Sequence, residues 1–387
     1  MTMSSFERVM TSLEHREPDR IPFDLGAAAV TGINIRALQN LKKHLGIESE
    51  STVRDEITQL AVIDESIAGY FKQDVGTVQP GAPSHAPLRQ DPVVRGDYSY
   101  LTDEFGIGWR MPLRGGLYYD LWHHPLAGAE TIRDIESYPW PDPLDPERFA
   151  SIADDASRII ERQKQGCFVE RMSSGMWEHA MWMTGYDKFF MDMLVNPALV
   201  SALMEKILEI KMKYWGRVLD LIGERTIIVS CADDLGTQNS LLVSLELYKE
   251  MIWPYHQRLF QFIKQRARGK AYIFFHNDGA IMETIPLLIE AGVDILNPFQ
   301  VNCTGMDTKQ FKRDFGDVVS IWGGSCDSQF VLPNGTVQQV KDEVSRRIDD
   351  LAPGGGFVFA PIHVIQGDVP PQNIVAWYET WQMRCNY

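Results

Sequence analysis

Residues 272–279 read YIFFHNDG, an apolar run that stops abruptly at His276 and Asp278. Their neighbours decide how that run is read. Upstream, TIIVSCA (Thr226 to Ala232) is a second apolar run of strand length, followed by the polar loop DDLGTQNS and a helical pattern from about Leu245 to Arg266. Downstream come a helix near Met282 to Ala291, the short run VDILN (Val293 to Asn297), a helix at Asp307 to Phe315 and a strand at Val318 to Trp322. A helix at Val337 to Leu351, a strand at Phe357 to Ala360 and a last helix from Pro371 complete the series. Short, continuous apolar runs alternating with amphipathic helices are the pattern of parallel strands buried on both faces. Adding Ile21 to Leu25, Val75 to Gln79 and Phe168 to Met172 gives eight strands, which predicts an α/β fold: a closed TIM (β/α)8 barrel.

The rhythm breaks between residues 80 and 165, where Gly, Pro and aromatic residues dominate. Period-two alternation within Ile107 to Tyr119 predicts an antiparallel hairpin there, in an aromatic-rich insertion that folds over one barrel mouth. The whole of 1–387 is then one barrel domain carrying that insertion.

Composition narrows the function. The 387 residues are 44% hydrophobic and carry a formal charge of −15, which argues against a nonspecific nucleic-acid or acidic-membrane surface. No apolar run approaches membrane-span length and the N-terminal stretch has no signal-peptide core, so a cytoplasmic protein is expected. The five cysteines (167, 231, 303, 326 and 385) are scattered without CxxC, which implies neither a disulfide scaffold nor a zinc knuckle.

Barrel chemistry gathers at the C-terminal strand ends, because those loops converge on one opening. Strand one delivers Asp24, strand three the stretch ERMSSGMWEHAMWMTG, strand four Asp233 and Asp234, and strand five His276 and Asp278. Strands six to eight deliver Gln300 and Cys303, Gln329, and His363 with Gln366. An isolated histidine reads as a neutral imidazole bonded to a backbone carbonyl. His363, in the analogous position after the last strand, gives His276 a partner, and with Asp278 or Cys303 the two could coordinate Zn²⁺. Of the acidic pair, one carboxylate faces the pocket and the other caps the following segment. Gln300, Gln329 and Gln366 could position polar substrate atoms or brace long loops, and Cys303 could equally be a small buried residue. Trp109, with Tyr118, Tyr119, Trp122, His123 and His124, either packs the insertion or walls a flat substrate; Met176 and Trp177 add a soft surface after strand three. No Walker A or dinucleotide-binding pattern is present.

In order and spacing, EHREPDRIPFDLG, TDEFGIGWR, ADDLGTQ, FHNDG, GVDILNPFQ, FKRDFG, SIWGGSCDSQ and HVIQGDVPPQNI resemble the uroporphyrinogen decarboxylase superfamily, especially its cobalamin-associated methyltransferase branch. The resemblance implies a barrel with its site at the C-terminal strand ends. Tetrapyrrole decarboxylases of that superfamily carry an N-terminal arginine-rich signature, whereas strand one here reads IPFDLGAAAVTG. Several substrate carboxylates would want compensating cations. Thiol-activating methyltransferases of the group carry His-x-Cys after strand five and a further Cys after strand eight. Here His276 is kept, Asp278 replaces one Cys and His363 stands near the other, a harder donor set suited to polarising oxygen.

The resemblance therefore implies a corrinoid-dependent methyltransferase that takes a methyl group from a small O-methylated compound, aromatic ethers among the candidates, and delivers it to a separate corrinoid protein. His276, His363 and Asp234 would be its catalytic residues. The substrate would be bound by Asp24, Trp109, Met176, Trp177, Gln300, Gln329 and Gln366. Tetrapyrrole decarboxylation and noncatalytic corrinoid or tetrapyrrole binding are the alternatives, and a homodimer is compatible with the resemblance.

Overall fold

The computed structural model describes residues 2–84 and 91–387; the remaining positions of the expected insertion, 85–90, lie outside the described residues. Thirteen strands form among them: β1 (Val53–Asp55), β2 (Leu60–Ala61), β3 (Val75–Val78), β4 (Val93–Arg95), β5 (Tyr98–Thr102), β6 (Gly108–Pro112), β7 (Asp120–His123), β8 (Gly166–Val169), β9 (Ile227–Ala232), β10 (Ala271–His276), β11 (Ile295–Asn297), β12 (Ser320–Trp322) and β13 (Phe357–Val358). Seven of them make one parallel sheet in the order β13-β12-β11-β10-β9-β8-β3. Apolar side chains fill both faces of these strands, and β9 is buried at all six positions.

The sheet is closed by residues 21–25, which bridge its two edges without forming a full strand. Phe23 pairs in parallel with Phe359; Asp24 N donates to Phe359 O, Phe359 N to Pro22 O, and Asp74 N to Phe23 O. The expected first strand is thus reduced to a single bridge, because Pro22 has no N–H to give and the Phe23 N–H is taken by the Asp74 carboxylate at 2.9 Å. That carboxylate, fully buried, also receives Arg8 Nη1 and Arg20 Nη1, each at 2.7 Å. The barrel interior is aromatic: Phe168, Phe274 and Trp322 meet with ring centroids 4.9–6.1 Å apart. It is a packed core, and the space for a ligand lies above it.

Two expectations need correction. The helix expected over Leu245 to Arg266 is two helices, Leu245–Met251 and Trp253–Arg266, parted at Ile252, where Pro254 starts the second. The hairpin expected within Ile107 to Tyr119 is the centre of an antiparallel sheet β4-β5-β6-β7. There β6 pairs with β5 through Leu101↔Trp109, and with β7 through Trp109↔Leu121. Alternation along β6 buries Trp109 and leaves Arg110 outside, over the half-exposed Trp122 ring at 3.9 Å.

Candidate active site

Parallel pairing sets Ala232, His276 and Asn297 level at the C-terminal rim, as partners across β9, β10 and β11. Asn297 Nδ2 donates to Trp322 O at 2.6 Å, so its Oδ1 is the atom 2.7 Å from His276 Nδ1. His276 therefore carries its proton on Nδ1, leaving the Nε2 lone pair free. The partner is a side-chain amide rather than the backbone carbonyl expected of an isolated histidine.

Asp278 is held by the turn that follows. Its backbone N–H donates to Asp234 Oδ1 at 2.9 Å, and Gly279 N–H to Gln300 Oε1 at 2.8 Å. Gly279 has φ +104°, and a Cβ there would come within 2.5 Å of the Gly236 backbone, so the turn needs glycine. Asp278 Oδ2 stands 3.8 Å from both His276 Nε2 and His363 Nε2, while its buried Oδ1 has no partner. One ligand atom from each of the three residues falls within 4.8 Å of the others. A tetrahedral centre with bonds of about 2.1 Å spaces its ligands roughly 3.4 Å apart, so a small contraction would suit one ion. Such a three-ligand site keeps a position open.

Burial lowers both histidines, His363 to about 4 and His276 well below its ordinary value, with the His363 charge adding to the effect on His276. Neutral imidazoles are the metal-binding form. Burial, with the charges of Asp234 and Glu178, holds Asp278 well above the usual carboxylate range. Glu178 is pushed up to about 8 by burial and Asp234. These carboxyl groups crowd one another, and among the described residues no Lys or Arg is ion-paired to them; Asp278 has only the two histidines beside it.

Of the acidic pair, Asp234 lines the cavity. Asp233 is fully buried and accepts Met176 N at 3.0 Å, Glu178 N at 2.8 Å and His256 Nε2 at 2.6 Å, pinning the loop after β8 against β9. Gly175 permits that approach, since a Cβ would lie 1.9 Å from Ala232 O. The helix Trp177–Thr184 that follows turns Glu178 and Trp182, one turn apart, to a cavity of about 380 Å³. His276 and His363 border one end of it; Phe105, Trp109 and Trp182 form an aromatic wall, with Trp109 and Trp182 edge to face at 5.0 Å.

Other expected positions fall elsewhere. Asp24 is completely buried and accepts from Ala27 N, Thr31 Oγ1, Gln73 Nε2 and Trp322 Nε1, a hub beneath the mouth with no capacity left for substrate. Met176 and Trp177 pack behind the wall, Trp177 against Phe189 and Phe190, because the helical period turns them away from Glu178 and Trp182. Gln300 is spent on Gly279, and exposed Gln329 bonds to Asn302. Gln366 keeps a buried, unpartnered Oε1 but does not border the cavity. Cys303 stands outside the His276–Asp278–His363 group, and burial pushes its thiol up to about 11, away from the thiolate a metal would want. Of the insertion residues expected to wall a substrate, Trp109 reaches the cavity, while Tyr118 and Trp122 point outward.

Sequence reasoning missed the charged groups of the cavity. Arg171, Glu170 and Glu178 sit within the quoted stretch after strand three and were legible as strand-end polar residues; Arg54, Arg148, Asp103 and Glu104 come from segments with no barrel register. Two of the arginines are ion-paired, Arg148 with Glu104 and Arg54 with Glu170 at 3.6 Å, Arg54 donating also to Gly26 O at 2.6 Å; Arg171 donates to Ser230 Oγ at 2.7 Å, stands 3.9 Å from Glu170 and keeps a buried, unpartnered Nε.

A (β/α)8 barrel whose polar groups converge over the C-terminal ends of its strands is the architecture of a barrel enzyme. The uroporphyrinogen decarboxylase (URO-D) family profile matches residues 124–383, more than half of the sequence, and the chain belongs to that family. A uroporphyrinogen decarboxylase of Alkalilimnicola ehrlichii is 25% identical over 321 residues, 79% of this chain and 81% of its own length. A methyltransferase from Methanosarcina mazei has a similar fold, with TM-score 0.63 and 13% identity over 98% of this chain and 99% of the other. Among the described residues no helix is long and apolar enough to cross a membrane.

Proposed function

We propose that the protein is a corrinoid-dependent methyltransferase that demethylates a small O-methyl compound, aromatic ethers being one class of candidate, and passes the methyl group to a separate corrinoid protein. The observation that carries the proposal is the His276–Asp278–His363 group at the rim, with the Nε2 lone pair of His276 free and a cavity opening beside it. These three residues would hold Zn²⁺, which supplies Lewis acidity towards an ether oxygen when bound. Asn297 keeps the His276 ring in the ligand tautomer, and Asp234 fixes the backbone that carries Asp278. In the reaction the methyl C–O bond breaks with its electron pair left on oxygen while the methyl carbon bonds to the reduced corrinoid of the partner protein; a metal ion held by His276, Asp278 and His363 would offset the charge on oxygen. Phe105, Trp109 and Trp182 hold the carbon skeleton against the rim and exclude water. The same reading takes the protein as a single-domain, cytoplasmic chain that can form a homodimer.

Tetrapyrrole decarboxylation is the second reading, favoured by the name of the Alkalilimnicola relative. Against it, Arg148 is paired with Glu104 and Arg54 with Glu170, which leaves Arg171 to answer several carboxylates, and among the described residues Asp103, Glu178 and Asp234 are not ion-paired with a basic side chain, a poor host for a polycarboxylate. The deciding experiment incubates zinc-loaded protein and a reduced corrinoid protein with a panel of O-methyl compounds and follows the corrinoid spectrum. Methylation that disappears in His276→Ala supports the proposal. No methylation across the panel, with uroporphyrinogen decarboxylated instead, replaces it by the second reading.

A further inference from the structure

Three carboxyl groups on the cavity side, Asp103, Glu178 and Asp234, are ion-paired with no basic side chain among the described residues; Arg171 acts on Glu178 and Asp234 only at longer range. Asp103 accepts from Phe105 N, Ile107 N and Trp109 Nε1; Glu178 accepts from Ser174 Oγ; Asp234 accepts from Asp278 N. The aromatic wall lies beside them. Trp109 is fixed by Asp103 at its indole N–H and packs edge to face on Trp182, which shares a helix face with Glu178. His179, 1% exposed, sits against Phe105 with ring centroids 4.3 Å apart and keeps an unpartnered Nε2.

Aromatic faces and carboxyl groups without an ion-pair partner around one cavity are complementary to one kind of small molecule, an organic ammonium ion. The ring quadrupoles attract its diffuse charge, and a cation among the carboxyl groups favours their ionised form over the protonated form that burial favours in the empty cavity, while its methyl or methylene groups suit the apolar surface. We infer that the methyl donor carries an ammonium group, bound between Trp182 and Glu178, with its O-methyl end directed towards His276 and His363. The inference rests on the methyl-transfer reading only for the fate of the bound compound; the recognition itself follows from the cavity. A neutral aromatic ether would satisfy the wall and leave the carboxylates unpaired, so it binds more weakly.

The test is calorimetric titration of the zinc-loaded, full-length protein with O-methylcholine and with its uncharged isostere, in which carbon replaces the quaternary nitrogen. The cation binds on the order of tenfold tighter or better. Glu178→Gln, which keeps shape and removes charge, abolishes that preference with zinc stoichiometry unchanged. Trp182→Leu weakens the cation more than the isostere, and Trp122→Leu, on the outer face, changes neither. Equal binding of the two compounds, or no binding of either at millimolar concentration, overturns the inference whatever the methyl-transfer assay gives. An ammonium preference without methyl transfer keeps the recognition site and removes the reaction.

Discussion

Asn297 Oδ1 lies 2.7 Å from His276 Nδ1, and its amide nitrogen is committed to the Trp322 carbonyl, so the residue acts as a fixed acceptor behind the ring. Removing such a partner costs a metal site on the order of ten- to a hundredfold in affinity. Asn297→Ala should show that loss in a chelator competition while retaining the fold. His276→Ala and His363→Ala should each lose stoichiometric zinc, and full metal content in both would remove these histidines as ligands.

The crowded carboxylates predict a pH dependence of stability in metal-free protein. The Glu178 carboxyl, ordinarily near 4.5, is raised to about 8 in the folded chain by burial and Asp234. Between those values the folded state binds more protons than the unfolded state, so stability is full below about 4.5 and falls as pH rises towards 8. Thermal melts from pH 4.5 to 8 should show that fall, and Glu178→Gln should flatten it. Zinc, by adding positive charge beside the cluster, should flatten the wild-type profile too. A wild-type curve that rises over the window would contradict the assignment.

Asp74 ties Arg8 and Arg20 to the segment that closes the barrel. Asp74→Ala takes the buried acceptor from Arg20 and the Phe23 N–H and leaves Arg8 with Asp19 as its remaining carboxylate, a cost of about 3–5 kcal/mol. Denaturant unfolding gives the number directly, and a change under about 1 kcal/mol would show that the closure does not depend on it.

A methyl group at Gly175 would sit 1.9 Å from Ala232 O and 2.0 Å from Asp233 Oδ1. Gly175→Ala should lower stability by about 1–3 kcal/mol, as overpacking does. It should also weaken the Asp233 clamp on Glu178, read as a loss of ammonium binding larger than the loss in an equally destabilised variant remote from the cavity, such as Phe311→Leu.

What the sequence determined was the barrel and the rim. Period and apolarity locate β3 and β8 to β13 because a strand buried on both faces has no other way to be written, and the residue after each such strand stands at the mouth by topology alone. His276, Asp278, His363 and Asp234 were legible for that reason. Tertiary structure decided which rim residues are free to act. Asp24 and Asp233 look in sequence like their cavity-facing counterparts, and only the donors that surround them make them braces. Met176 and Trp177 differ from Glu178 and Trp182 by helical phase, which depends on where the Asp233 clamp starts the helix. The carboxyl cluster of the cavity, finally, is assembled from segments distant in sequence, and whether a carboxyl group has a cation beside it is a property of space that no local pattern encodes.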